Sequence, residues 1–98
     1  MKKDFVAEIN DFDATINGKL KTKLNSFFNK NPEYAEGCIL RKDWDGAPYA
    51  LIIESSMLYS ALSGEFGWNT HTKFYDTFIA SGWIAEPMNS CVIGFYKD

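Results

Sequence analysis

Two apolar runs flank the dipeptide Asp45-Gly46 in "CILRKDWDGAPYALIIE", and this feature constrains the chain most. A two-residue hairpin of the type I′ kind needs positive φ at both central residues, and Asp-Gly supplies that at low cost. The runs on either side alternate and are rich in branched residues, so the sequence predicts strands at about Cys38–Trp44 and Pro48–Glu54. Pro48 cannot donate to a ladder, which places it at a strand start or on an edge.

The segment before the hairpin reads as helical. Phe5, Ile9, Phe12 and Ile16 recur at spacings of four, three and four, the signature of one helix face. Leu20, Leu24, Phe27 and Phe28 continue the pattern as the face drifts, and a kink or break is expected near Asn17-Gly18. The competing reading of "NGKLKTKL" is a β-ribbon opened by Asn-Gly. Acidic residues lead this segment and lysines end it, which suits a helix dipole.

Beyond the hairpin, Ser55 or Ser56 is positioned to cap a short helix, "MLYSALS", that ends at Gly64. Asn69 or Thr70 is the expected cap of a second helix, which turns Phe74, Phe78 and Ile79 inward and stops at Gly82. The tail reads as two strands around a Pro87-Met88-Asn89 turn. Its last strand is apolar on both faces, as a central strand would be. The expectation for residues 1–98 is one small α+β domain. It comprises an N-terminal helix, a β-hairpin, two short helices and a C-terminal β-hairpin.

The order of a helix, a strand, two helices and a final β-wing resembles that of winged-helix domains, most visibly in "SALSGEFGWNTHTKFYDTFIASGWI". That resemblance implies DNA binding. Asn69, Thr70, His71 and Lys73 would then face base edges, and Lys19, Lys21 and Lys23 would supply phosphate contacts. The charge balance argues against it. Ten Lys+Arg stand against thirteen Asp+Glu, a net charge of −3, whereas phosphate binding draws on a basic surplus.

The chemistry of an enzyme is not legible either. His71 is the single histidine, and Cys38 and Cys91 stand far apart in apolar runs, in no metal-binding spacing. No nucleophile elbow and no glycine-rich phosphate loop is present. The reading is therefore of a protein without cofactor or metal. No apolar h-region follows Met1 and no run reaches about 20 apolar residues, so a cytoplasmic, membrane-free setting is expected.

Aromatic residues make up 16% of the chain, more than so small a core readily hides. The expected function is non-enzymatic: an accessory, regulatory or inhibitory role through contact with another protein, of the kind phage and mobile elements encode. The chain itself would be a monomer or homodimer. Trp44, Tyr49, Phe66, Trp68 and Tyr96 are the candidate contact residues, since exposed aromatics make strong binding anchors.

Overall fold

A computed structural model describes residues 3–11, 16, 18–65 and 67–98. The elements are α1 (Phe5–Ile9), α2 (Gly18–Lys30), a 3-10 turn (Pro32–Tyr34), β1 (Ile39–Trp44), β2 (Ala47–Ile52), α3 (Met57–Leu62), α4 (Asn69–Asp76), β3 (Trp83–Asn89) and β4 (Val92–Lys97). The α+β class and the order of elements are as the sequence predicts. None of the helices is long and apolar enough to cross a membrane, among the described residues.

The first hairpin forms at Asp45-Gly46. Asp45 has φ +47° and Gly46 φ +89°, the pair of positive values that a type I′ turn demands. Trp44 faces Ala47 across it. Pro48 lies near the start of β2, where its missing N–H does least harm.

All four strands join one antiparallel sheet in the order β1-β2-β4-β3. β4 is central, as its two apolar faces predict. The terminal hairpin is therefore half of the sheet rather than a projecting wing. Alternation sends Leu40, Leu51, Ile93 and Phe95 to one face, where they meet Phe5, Val6 and Ile9 of α1, Leu24, Phe27 and Phe28 of α2, Leu58 of α3 and Phe74 of α4. Interlocked rings bind this core: Phe27 meets Phe74 edge-on at 5.0 Å, and Phe78 meets Phe95 at 5.1 Å.

Several expectations are corrected. The N-terminal segment is two helices rather than one: of the expected kink or break near Asn17-Gly18 it is the break that holds, with α2 starting at Gly18, but α1 already ends at Ile9. Asp4 caps α1 by accepting from the Ala7 N–H (3.2 Å), and α1 ends when Asn10 turns extended and pairs beside Leu40. Residues 18–30 are helix, so the ribbon alternative fails there. Phe12 and Asn17 lie outside the described residues.

Ser56, not Ser55, caps α3. Its hydroxyl accepts from the Leu58 N–H (3.0 Å) and donates to the Tyr34 carbonyl (2.6 Å). For α4 the cap position falls on Trp68, one residue before the polar candidates, and no side chain caps it. α4 ends at Asp76, well before Gly82, and Ala80 takes φ +60° in the turns that follow. This swings Ile79 outward, to 68% exposure, while Phe78 stays buried. The expected turn at Pro87-Met88-Asn89 is instead strand with a bulge. The reversal comes at Ser90-Cys91, where the Asn89 side chain accepts from the Cys91 N–H (2.8 Å).

Candidate protein-binding surfaces

Trp68 stands at the head of α4 with 61% of its surface exposed. Its indole lies flat over Gly64, which can hold the left-handed turn after α3 (φ +84°) and leaves room for the ring. His71, one turn on, meets the indole edge-on at 5.4 Å, and Tyr75 meets His71 at 4.8 Å. The spacing of residues 68, 71 and 75 puts all three on one side of α4, so a row of rings runs down the helix. Burial raises the Tyr75 pKa, which keeps its phenol neutral.

Tyr75 divides two hollows between α4 and the edge strand β3. One, of about 230 Å³, is lined by Ile53, Leu62, His71, Pro87 and Ile93. The other, of about 250 Å³, is lined by Phe78, Ile79, Trp83, Ile84 and Ala85. Among the described residues no strand pairs with the outer side of β3. An apolar trough thus runs beside the outer edge of β3, where Trp83 bonds the Ser81 hydroxyl (3.1 and 3.3 Å), Pro87 has no N–H and no strand pairs with Ala85, with Trp68 near one end and exposed Ile79 at the other.

The other aromatic candidates lie elsewhere. Tyr49 faces the helix side of the sheet, half-buried, with its ring against Trp83 (5.7 Å). Trp44 is half-buried beneath the Arg41 guanidinium (5.2 Å), a cation–π contact. Tyr96 lies on the opposite face of the sheet, over Gly94. Phe66 lies outside the described residues. The candidates do not form one patch.

The basic candidates also separate. Lys21 pairs with Asp4 (3.2 Å) on the α1 side of α2. Lys19, Lys23 and Lys30 share another face by helical spacing. Lys30 joins Lys73, Ser26, Asn31, Asp76 and Thr77 around a groove of about 490 Å³ between α2 and α4. A basic margin therefore links α2 to Lys73, although Asp76 sits within it. Asn69 is exposed, Thr70 approaches the Tyr34 hydroxyl (3.4 Å), and His71 lines the β3 trough instead. The supposed base-reading set is split between two sides of α4.

Of the two cysteines, Cys38 is the one shielded from nucleophilic chemistry. Cys38 is buried, its thiol donates to the Tyr34 carbonyl (3.1 Å), and burial pushes its pKa up to about 11. Cys91 is half-buried with its sulfur 3.7 Å from the Ser90 hydroxyl. No protein family, curated protein or solved structure matches this chain.

Sequence reading missed Tyr75 and Ile79 as surface residues. The ring spacing 68-71-75 was present as a signal, but Tyr75 sits among core residues Phe74 and Phe78. Ile79 follows the helical spacing of a buried position and is exposed only because α4 ends early.

Proposed function

We propose that this chain is a non-enzymatic binding protein that captures an extended segment of a partner protein along β3. The trough between α4 and the unpaired edge of β3 carries this reading. A segment added to an open sheet edge gains main-chain hydrogen bonds, and alternate side chains drop into hollows beside the edge. Here those would be the hollows on either side of Tyr75. Trp68, held flat by Gly64 and His71, offers a rigid anchor whose ordering costs little on binding. An accessory, regulatory or inhibitory role follows from covering a partner's segment.

The test is affinity capture from the native host, with three baits. Trp68→Ala and Ile79→Arg alter exposed side chains at the two ends of the trough, so both should fold. Each is expected to weaken capture by about 30-fold, the equivalent of about 2 kcal/mol for an anchor residue. Capture that is equal for all three baits would refute the trough as the binding site.

A second reading, contact with nucleic acid, is favoured by the basic margin of Lys19, Lys23, Lys30 and Lys73. Salt-sensitive retardation of duplex DNA that Lys73→Glu abolishes would support it. The negative net charge and the divided α4 residues place it second.

A further inference from the structure

The face of the sheet turned away from the helices has a surface of its own. By register, three cross-strand rows lie on it. Ile39, Ile52 and Val92 form one; Arg41, Ala50, Gly94 and Glu86 form the next; Tyr96 and Ile84 belong to the third, with Pro48 beside them. Among the described residues, no helix covers these side chains, and none of them belongs to the core that the helices share. On the edge strands Ile39 and Ile84 are 37% and 46% exposed, whereas Ala50, Val92 and Gly94 of the central strands are buried beneath their neighbours. Met88 and Tyr96 lie over Gly94, where a Cβ would come within 2.9 Å of the Met88 sulfur and 3.0 Å of the Tyr96 ring. These two side chains cover Gly94 in the middle of the face.

Charge is placed on this face in a telling way. Arg41 and Glu86 sit at opposite ends of the same row, on the two edge strands, with Ala50 and Gly94 between them. Arg41 is fixed there by Asp11 (2.9 Å to its Nε) and by the Trp44 ring. The row is self-complementary. A second copy, turned by 180° about an axis parallel to the strands and passing between β2 and β4, lays its β3 across β1 of the first. Arg41 then meets Glu86 of the partner subunit, and the pair occurs twice. Tyr96 falls across Pro48 of the partner subunit in the same arrangement. An axis perpendicular to the strands would set Arg41 against its own copy. A two-fold contact of this isologous kind is the commonest way for a chain to assemble.

We infer that the open sheet face binds a second copy of this chain, in a two-fold sandwich whose axis follows the strands. Four strands of about six residues give a face of roughly 20 by 20 Å. Two such faces bury an area at the small end of specific interfaces, so the dimer should dissociate on dilution. The contact lies on the opposite face of the sheet from the trough beside α4 and does not depend on that reading.

Sedimentation velocity from about 5 µM to about 500 µM tests it, the range where a small interface is half-formed. Wild-type protein should pass from monomer to dimer. Arg41→Glu alone and Glu86→Arg alone should each remain monomeric, at least tenfold weaker in association. An equimolar mixture of the two variants should recover the dimer, because each then presents the charge the other lacks. Ile84→Lys, at an exposed position on the same face, should also be monomeric and keeps the test decisive if Arg41→Glu does not fold. A monomer throughout for wild type would overturn the proposal. So would single variants that dimerise normally, or, where both fold, a mixture that stays monomeric. None of these outcomes bears on capture by the trough.

Discussion

Gly64→Ala should disturb two things at once, and a double-mutant cycle can separate them. Gly64 follows α3 with φ +84°, a left-handed conformation that costs a residue with a Cβ about 1–2 kcal/mol. The added methyl would also stand 2.5 Å from Cζ2, 2.7 Å from Cη2 and 2.8 Å from Cε2 of Trp68, far inside contact distance. The indole is exposed on its other side, so it can lift away. Lifting it forfeits the contact with Gly64 and displaces it from His71. We expect a further cost of about 0.5–1 kcal/mol, the usual coupling of touching residues. Trp68→Ala alone should cost about 0.5–1 kcal/mol, since it forfeits the same contacts with Gly64 and His71.

In the Trp68→Ala background, Gly64→Ala should cost only its backbone share. Urea denaturation of the four proteins measures each value. Equal costs of Gly64→Ala in both backgrounds would refute the claim that Gly64 is kept small for the indole. A loss of about 3 kcal/mol or more in Trp68→Ala, the range of a core cavity, would refute the exposed anchor itself.

Three further outcomes follow from the same structure. Cys91 should react with a thiol reagent at pH 8 in the folded protein while Cys38 stays protected until unfolding; equally fast labelling of both would contradict the burial of Cys38. The raised Cys38 pKa means that folding favours the protonated thiol, so its contribution is full below the ordinary thiol pKa and fades as pH rises through about 11; a denaturation midpoint that holds level from pH 8 to pH 11 would contradict this. Asp4→Ala should cost about 1 kcal/mol through loss of the α1 cap. Hydrogen bonding from Asn25, chiefly, holds the Asp4 carboxyl below its ordinary value. Its stabilising share is thus present above that value and lost as acid protonates it, and Asp4→Ala should show a weaker acid-induced decline than wild type.

Local turn chemistry was the most readable part of the sequence. Asp45-Gly46 admits few conformations, and both residues take the left-handed values the dipeptide suggests. Ser56 had a free hydroxyl at the right offset for α3. Readability failed where tertiary contact outranked local preference. α4 starts at Asn69 without a side-chain cap, since the packing of Phe74 on Phe27 fixes its position. Pro87 reads as a turn residue, yet an edge strand with a bulge accommodates it. The site was harder still. Tyr49 and Trp83 meet across 34 residues of sequence, and no periodicity announces that an aromatic in a strand will be spent on such a contact. The trough depends on β3 being an edge, which follows from β2 pairing with β4, a non-local choice.

That choice has a consequence for biosynthesis. β4 comes last of the four strands in the chain yet sits second from the edge, with Tyr49 facing Phe95 and Ile52 facing Val92. The two hairpins can each form early from neighbouring residues, but closing the sheet brings together segments forty or more residues apart. On the ribosome, β2 must wait as an unsatisfied edge until Lys97 has cleared the exit tunnel. The nascent domain is therefore most exposed to misassociation just before it is complete, and a nascent chain stalled before Val92 should hold a first hairpin that is recognised by chaperones.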